Sequence, residues 1–290
     1  MREVDKNSYI CYNWMPMYCD HALDCDVSFY DSVGVSRLHN HHLFAPKDVR
    51  EGDYVFVKTD YIYNGHFQNC ILPHIRNNFF LVSGISSYHV GSNGDCSFLR
   101  IIENSKVIKW FCTNPPLHDS SKIVPLPIGF EERERPGGDQ GLISYFRENK
   151  TSFAKKKDKV LLPYHTANTN PKRSILLREL SKLYFVEAQR NKLSWDEYMA
   201  NVNNYKYVIC LEGSGPDVHR NYECLLVNSV PVSIEKTTKR LFSYHGLPGV
   251  FLKDWSKLDI KNLVNQAYDF KNVSRFLKIK HHYDLLRGEV

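Results

Sequence analysis

Residues 205–234 constrain the fold of this chain more than any other stretch. They read YKYVICLEGSGPDVHRNYECLLVNSVPVSI. An apolar, β-branched run stops at Glu212, a Gly-Ser-Gly-Pro turn follows, a short helical pattern carries Arg220 and Glu223, and a second buried strand closes the segment. This order predicts a strand, glycine loop, helix and strand, which is the repeating unit of a parallel α/β sheet.

The predicted module has the features of an anion site. Glycines let a ligand approach the backbone, and the start of a helix presents amide groups at the positive end of its dipole. Arg220 and Glu223 are three residues apart, so they share one face of the helix. Arginine can bind a phosphate there, and glutamate can accept from a ribose diol. An ordinary βαβ crossover with a glycine turn fits the same spacing, so both interpretations stay open at this point.

Two common nucleotide motifs do not occur in this module. It has neither the G-x-G-x-x-G of dinucleotide-binding folds nor the G-x-x-x-x-G-K-[ST] of P-loops. Hydride transfer and NTP hydrolysis therefore lose support, whereas a nucleoside diphosphate remains a suitable ligand.

The chain length of 290 residues suits two domains of about 130 to 150 residues each. We place the boundary near Arg135, after a charged, glycine-rich stretch. The prediction is an N-terminal Rossmann-like domain over residues 1–135, a C-terminal Rossmann-like domain over 136–272, and a C-terminal helix over 273–290 that packs back on the N-terminal domain.

Strands alternate with helical stretches in both halves, which predicts α/β architecture with parallel, doubly wound sheets. In the first half we expect strands at DYVFVK, FFLVSG and VIKWF and a helix over 65–76. In KIVPLPIG we expect a strand interrupted by two prolines, at a sheet edge or at a crossing between domains. In the second half we expect a strand at KVLLPYH and another over 249–252. The predicted helices are a basic helix over 171–183, a helix that begins with a capping box at Ser194 and Glu197, and two further helices over 258–270 and 273–287.

Open parallel sheets bind ligands outside the carboxyl ends of their strands. This rule selects polar residues that follow the predicted strands. In the first half they are Lys58, Thr59, Asp60, Ser83, Ser86, Thr113 and Asn114. In the second half, Tyr164, His165 and Thr166 follow the first strand. We expect these loops to line one cleft.

Charge and composition narrow the class of partner. The net charge of +6 is a mild excess, and the only short basic run covers residues 155–157, so nucleic acid is not an expected partner. The eight cysteines form no C-x-x-C pair, which argues against zinc and favours a reducing compartment. No long apolar span or signal-peptide pattern occurs. We therefore expect a soluble, cytoplasmic protein that binds small anions and does not insert into a membrane.

The segments KVLLPYH and 205–234, with the basic helix between them, resemble the donor-binding half of exostosin-like glycosyltransferases. The pieces DYVFVKTDYI, FFLVSGISSYHVG and KWFCTNPPLHDSSKIVPLPIGF are similar to a compact, xylosyltransferase-like branch of soluble enzymes encoded by large DNA viruses of algae, the chloroviruses. The resemblance covers most of residues 50–255. These 290 residues contain no stretch that predicts the membrane anchor or the second catalytic module of animal exostosins, so we expect transfer of a single sugar.

The resemblance implies a GT-B fold, in which two Rossmann-like domains face a central cleft. It implies an inverting transfer from a UDP-sugar, without a metal or a tightly bound cofactor, to a hydroxyl of an oligosaccharide or glycoprotein glycan; UDP-xylose is the favoured donor. Donor-binding residues would be Arg173, Gly213, Ser214, Gly215, Arg220, Glu223, His165 and Thr166. Acceptor-binding residues would be Lys58, Thr59, Ser83, Ser86 and Asn114.

A general base must take the proton of the acceptor hydroxyl. We predict Asp60, which closes the strand YVFVKTD at its carboxyl end, with His89 and His66 as alternatives. An aspartate at this position could equally cap a helix or turn.

Three further interpretations stay open. Asp24 and Asp26 match a D-x-D metal motif, and His39, His41 and His42 are clustered in sequence, but both groups precede the first regular strand, and we predict no metal site.

The chain could also be a non-catalytic carbohydrate- or nucleotide-binding module of the same fold. A sugar-nucleotide epimerase or phosphorylase is a more remote possibility.

Overall fold

The computed structural model describes residues 7–23, 44–92 and 94–289. The chain is an α/β protein with two separate five-stranded sheets, and every strand pair in them is parallel. Two compact units contain one sheet each. The N-terminal unit comprises Tyr12–Ile128 and Leu286–Glu289, and the C-terminal unit comprises the described residues up to Cys11 together with Gly129–Leu285. The chain crosses between units at Ile128 and Gly129, whereas the boundary near Arg135 stays a prediction.

The N-terminal sheet has the strand order β1-β2-β3-β4-β5. Its strands are β1 His21–Leu23, β2 Asp53–Lys58, β3 Phe79–Gly84, β4 Val107–Cys112 and β5 Ile123–Pro125. Strand β5 lies at the edge of the described sheet, which is one of the two positions predicted from the prolines of this segment, since an edge strand needs fewer backbone donors. The described strands follow one another in a single direction without reversal. The described strands of this sheet therefore do not show the reversal that a doubly wound arrangement requires, because each crossover between them moves the chain the same way.

Helices of the N-terminal unit are short. They are α1 Thr59–Tyr63 and α2 Leu99–Glu103. The single helix predicted over 65–76 is instead a π-helical turn, Phe67–Ile71, followed by a 3₁₀ turn, Leu72–His74. Pro73 lacks the N–H that a continuing helix would need, which accounts for the break. One apolar core packs under this sheet, with Val55, Leu81 and Trp110 fully buried in it.

The C-terminal sheet has the order β10-β9-β8-β6-β7 and therefore reverses direction beside β6. Its strands are β6 Lys157–Leu162, β7 Val186–Ala188, β8 Tyr205–Ile209, β9 Val230–Ile234 and β10 Val250–Leu252. The module over 205–234 is confirmed as β8, a helix and β9. Its apolar run is buried on both faces of the sheet, because Tyr207 and Ile209 point to one face, Val208 points to the other, and all three are at most 1% exposed.

The described helices of the second half of the chain surround this sheet. They are α3 Gln140–Glu148, α4 Lys172–Leu180, α5 Trp195–Val202, α6 His219–Leu226, α7 Thr237–His245, α8 Ile260–Val264, α9 Val273–Phe276 and α10 Ile279–Arg287. The capping box at Ser194 is present with both reciprocal hydrogen bonds to Glu197. The long helices predicted over 258–270 and 273–287 are shorter and interrupted.

The last helical segment is divided between the units. The Ile10 amide donates to the Leu277 carbonyl at 3.0 Å within the C-terminal unit. Leu286–Glu289 group with the N-terminal sheet, where the Tyr54 hydroxyl donates to the Leu286 carbonyl and the Arg287 guanidinium lies 4.4 Å from the Tyr54 ring centroid. In the part of the chain that the structure describes, every helix is too short or too polar to span a membrane.

Candidate functional site

The strand order of the C-terminal sheet reverses beside β6. β7 lies on one side of β6, and β8, β9 and β10 follow on the other. Open parallel sheets bind ligands at such a switch point, outside the carboxyl ends of the flanking strands. Side chains that follow β6 and β8 meet there, since Arg220 contacts His165. The sequence prediction that these two residues belong to one site is consistent with this contact.

Arg220 is the centre of the hydrogen-bond network at this edge. Its Nε donates to the Tyr198 hydroxyl at 3.0 Å, Nη1 donates to Nε2 of His165, and Nη2 donates to the Tyr164 carbonyl at 3.3 Å. A guanidinium has five N–H groups. One N–H on each terminal nitrogen therefore has no acceptor among the described residues. Such a pair is the fork that binds two oxygens of a phosphate or carboxylate.

His165 holds one end of the Arg220 side chain. It is 5% exposed, and its Nδ1 lies 2.7 Å from the Pro163 carbonyl, which can only accept. The proton is therefore on Nδ1, and Nε2 is free to accept from Arg220. Burial lowers the pKa of His165 to about 2, and the Arg220 cation adds to this effect. A neutral imidazole orients the guanidinium without adding a second positive charge.

Glu223 is 6% exposed and anchors the other side of the network. Its Oε1 accepts from Trp195 Nε1 at 3.0 Å, and its Oε2 accepts from the Tyr198 hydroxyl at 2.9 Å. Burial lowers the pKa of Arg220, but the nearby Tyr198 and Glu223 raise it by more, so the pKa of Arg220 is raised overall. The carboxylate thus stabilises the arginine cation through Tyr198. Each carboxylate oxygen keeps a second lone pair, so acceptance from a ribose hydroxyl stays a prediction.

Arg173 holds the loops of the site together. Its Nε donates to the Glu212 carbonyl at 2.8 Å and its Nη2 to the Leu211 carbonyl at 3.0 Å. Its Nη1 donates to the Thr166 carbonyl at 3.2 Å and to the Thr169 hydroxyl at 3.0 Å. Only one of its five N–H groups is left without an acceptor among the described residues. Arg173 therefore positions the loops after β6 and β8.

Two guanidinium groups raise the positive charge of this edge. Burial lowers the pKa of Arg173, and the nearby Arg220 cation lowers it further. Their mutual repulsion is relieved when an anion binds between like charges, because each cation then gains an opposite charge. The switch point of the C-terminal sheet is therefore suited to a phosphate or diphosphate.

The glycine loop is tied to helix α6 by buried polar contacts. Asp217 accepts from the Asn221 side chain at 2.9 Å and from the Tyr222 hydroxyl. In the loop, Ser214 is exposed and Gly215 is buried. A Cβ at Gly213 would lie 3.4 Å from Nη2 of Arg173, an ordinary contact distance, so the loop passes close to this guanidinium. Whether the amides of residues 213–215 bind the donor stays a prediction.

Four side chains of this site were not predicted from the sequence: Trp195, Tyr198, Glu131 and His219. Trp195 and Tyr198 lie on α5, three residues apart, and both donate to Glu223 on α6. Glu131 lies near Glu223 and His219: burial raises the pKa of Glu131, His219 partly lowers it, and Glu223 raises it further. The i, i+3 spacing of Trp195 and Tyr198 after the capping box was the available signal, but it does not reveal the distant partner.

The three candidate bases lie in different surroundings in the N-terminal unit. Asp60 is half-buried in α1, directly after β2, and its Oδ2 is buried with no hydrogen-bond partner among the described residues. His89 is half-buried, whereas His66 is exposed and lies 5.7 Å from the Tyr61 ring centroid. A buried carboxylate oxygen without a donor is costly to keep, which favours a functional role for Asp60.

The predicted acceptor residues are buried to different degrees. Lys58 is half-buried, and Thr59 is fully buried with its hydroxyl 3.4 Å from the Gly84 carbonyl. Ser83 is also fully buried and accepts from Trp110 Nε1 at 2.9 Å, so its hydroxyl serves the core of the sheet. Ser86 is 7% exposed and accepts from the Tyr88 amide.

The backbone is strained beyond β3 and β4. Ile85 has φ of 52° and Asn114 has φ of 44°, both in the left-handed region. For a β-branched isoleucine this conformation is a true outlier, and such residues cost about 1–3 kcal/mol each. The Thr113 hydroxyl beside Asn114 is buried without a hydrogen-bond partner in the described part of the chain. Strain and unpartnered polar atoms thus coincide at this edge.

The candidate metal ligands in the sequence lie among residues that the structure does not describe. Asp24, Asp26, His39, His41 and His42 all lie within residues 24–43, which the structure does not describe. Among residues 7–23, 44–92 and 94–289, no group of three or more His, Cys, Asp and Glu side chains is arranged to hold a metal ion.

No protein-family model matches the chain, and no curated protein sequence matches it. Among solved structures, the chain is similar to the pneumococcal O-GlcNAc transferase GtfA in complex with UDP and GlcNAc, at 10% sequence identity and a TM-score of 0.31. The likeness covers 84% of this chain and 55% of that chain, so this chain spans about half the length of that enzyme. At this TM-score, fold and activity must be argued from the residues of the chain itself.

Proposed function

We propose that this protein is a glycosyltransferase that moves one sugar from a UDP-sugar to a hydroxyl of a glycan. The observation that carries the proposal is the Arg220 network, which fixes a cationic fork at the switch point of a parallel sheet. The resemblance of the sequence to exostosin-like enzymes supports a GT-B fold and an inverting reaction without a metal. UDP-xylose is the first donor to test, and a glycoprotein glycan is the first acceptor class.

The C-terminal unit would bind the donor and stabilise its leaving group. As the bond between the anomeric carbon and the UDP oxygen breaks, the electron pair moves to the diphosphate. The Arg220 fork, held by His165 and Tyr198, meets this growing charge without having to reorganise. Arg173 adds a second positive charge while it holds the loops after β6 and β8. Glu223 would accept from the ribose diol.

The N-terminal unit would bind the acceptor and supply the base. The acceptor oxygen forms a new bond to the anomeric carbon on the face opposite the leaving group, so the anomeric configuration inverts. Its proton moves to Oδ2 of Asp60, which accepts no hydrogen bond from any described residue. Lys58, Ser86 and Asn114 would contact the acceptor at the same strand ends, whereas the fully buried Thr59 and Ser83 would support these loops from the core.

The experiment that tests the proposal is a hydrolysis screen of the purified protein. UDP- and GDP-linked xylose, glucose, galactose and N-acetylglucosamine would each be incubated without an acceptor, and release of nucleoside diphosphate would be measured. We expect UDP-sugars to be hydrolysed slowly and GDP-sugars not at all. The alternative, a non-catalytic binding module, predicts that UDP raises the melting temperature while no nucleotide is released from any donor. The absence of both effects would contradict the proposal.

A further inference from the structure

Two tyrosines form an exposed aromatic stack at the carboxyl edge of the N-terminal sheet. Tyr63 ends helix α1, which follows β2, and Tyr88 lies in the segment that follows β3. Their ring centroids are 4.2 Å apart and the rings are inclined by only 8°. Tyr88 is 47% exposed, and Tyr63 is half-buried behind it. An aromatic pair of this size is more often found inside a core or an interface.

The stack is held in place rather than free to rearrange. The backbone amide of Tyr88 donates to the Ser86 hydroxyl at 3.2 Å, and Ser86 itself is buried. The turn begins at Ile85, whose positive φ commits the chain to this path. Tyr63 is fixed by helix α1, directly after a strand with four buried residues. The ring of Tyr88 is therefore presented to solvent by a prearranged loop.

Asp60 lies beside this stack along helix α1. Asp60 and Tyr63 are three residues apart in the same helix, so their side chains are neighbours on one face. An exposed ring face attracts the C–H face of a pyranose, whereas the half-buried carboxylate of Asp60 is suited to one of the hydroxyls on the rim of the sugar. A flat apolar surface next to a hydrogen-bond acceptor matches both sides of a sugar ring.

We propose that Tyr63 and Tyr88 form the acceptor subsite, and that the acceptor is a pyranoside whose ring stacks on Tyr88. The inference rests on the proposed function and deepens it: it names the residues that bind the glycan acceptor and the part of the acceptor that they contact, a six-membered sugar ring. A uracil base could also stack on a tyrosine. However, the cationic fork suited to its diphosphate belongs to the C-terminal unit, so we assign the stack to the sugar.

The test compares Tyr88→Ala with Tyr88→Phe, which keeps the ring. Tyr184→Ala is the matched control, because Tyr184 is 82% exposed and belongs to the C-terminal unit. Methyl pyranosides of glucose, galactose and fucose serve as acceptors, since they carry no aromatic group of their own, and sorbitol serves as an acyclic polyol. Transfer from UDP-xylose, or from the best donor of the hydrolysis screen, gives the acceptor KM; hydrolysis without acceptor reports the donor site.

We expect Tyr88→Ala to raise the acceptor KM about tenfold, equivalent to ~1.4 kcal/mol, and to leave donor hydrolysis unchanged. Tyr88→Phe and Tyr184→Ala should retain the wild-type KM, and sorbitol should be a poor acceptor for every variant. An unchanged KM in Tyr88→Ala with normal hydrolysis would overturn the inference while the proposed function stands. Loss of UDP-induced stabilisation in Tyr88→Ala would overturn it as well, since the stack would then hold the nucleotide.

A direct binding measurement separates this inference from failure of the proposed function. Saturation-transfer NMR detects the methyl pyranosides on the protein without any donor or turnover. Transfer to the sugar C–H protons in wild type and Tyr88→Phe, but not in Tyr88→Ala, supports the subsite even if no donor is hydrolysed. The absence of transfer in the wild-type protein overturns it.

Discussion

The candidate site residues at the carboxyl edges of the two sheets differ in how their polar groups are paired, although Glu212 Oε1 and Asn221 Oδ1 at the C-terminal edge are also buried without a hydrogen-bond partner among the described residues. At the C-terminal sheet, Arg220, Tyr198, Glu223 and His165 form a connected network in which each side chain has a partner. At the N-terminal sheet, Asp60 Oδ2 and the Thr113 hydroxyl are buried without a partner among the described residues. Ile85 and Asn114 add backbone strain to that edge only.

This difference matches the two separate roles that the proposed function assigns to the units. A leaving anion is stabilised best by donors that are already fixed, and a complete network provides them. A base must instead keep a lone pair free for the proton it receives, which costs stability until substrate binds. The strand order agrees with this division, because only the C-terminal sheet has a reversal among its described strands. The contrast predicts opposite effects on stability when each edge is mutated.

Asp60→Asn should have the largest effect on activity and no cost in stability. Removal of a general base lowers kcat by about 10²–10⁴-fold. The melting temperature should stay the same or rise, because Oδ2 accepts no hydrogen bond that could be lost. Transfer kinetics and thermal unfolding measure the two effects. Asp48→Asn, at an exposed aspartate of the same unit, is the control. Wild-type kcat in Asp60→Asn would exclude this residue as the base.

Tyr198→Phe should cost both stability and nucleotide affinity. The hydroxyl accepts from Arg220 at 3.0 Å and donates to Glu223 at 2.9 Å, so its removal leaves two charged groups short of a partner. We expect a loss of about 1–3 kcal/mol in the free energy of unfolding. Denaturant unfolding and UDP titration measure these effects, and Tyr184→Phe is the control. If unfolding were unchanged, the network would not be the connected unit that the comparison requires.

Acid should weaken the C-terminal unit through a cluster of buried histidines. Burial lowers the pKa of His281 to about 4, with Arg275 adding to the effect, and lowers that of His282 well below its usual range. The folded state favours the neutral forms, so this stability is complete above about pH 6.5 and is lost as pH falls toward 4. The expected slope is about 1.4 kcal/mol per pH unit for each histidine.

Denaturant unfolding at pH 7.5, 6 and 5 measures this slope. His281→Gln should reduce it, whereas His74→Gln, at an exposed histidine of the N-terminal unit, should not. A free energy of unfolding that stays constant over this range would contradict the buried, neutral assignment.

Sequence patterns predicted the helices and strands that are determined by residues close together in the chain. The β-branched run before Glu212 gives β8, and Ser194 with Glu197 gives the start of α5. The segment His21–Leu23 was not predicted as a strand, because three residues carry too little periodicity and its place is set by pairing with β2. Helix α3 was hidden in a charged, glycine-rich stretch, where one capping aspartate, Asp139, fixes its start.

About half of the candidate site could be predicted from the sequence, because the signal for those residues also lies in short segments of the chain. Arg220 and Glu223 stood out because they share one helix, and His165 because it follows a strand. Tyr198 and Trp195 did not, since their contacts with Glu223 bridge 25 and 28 positions of sequence. The stack of Tyr63 on Tyr88 also depends on two segments that only the sheet brings together.

The most direct test of the central claim is the affinity for UDP, measured by titration calorimetry. The wild-type protein should bind UDP, and Arg220→Ala should weaken binding about 100-fold, because a charge-assisted pair of hydrogen bonds is lost. Arg178→Ala should bind like wild type, since that side chain is exposed and contacts Glu179. Equal affinities for wild type and Arg220→Ala, or no binding by the wild-type protein, would contradict the assignment of this edge as the donor site.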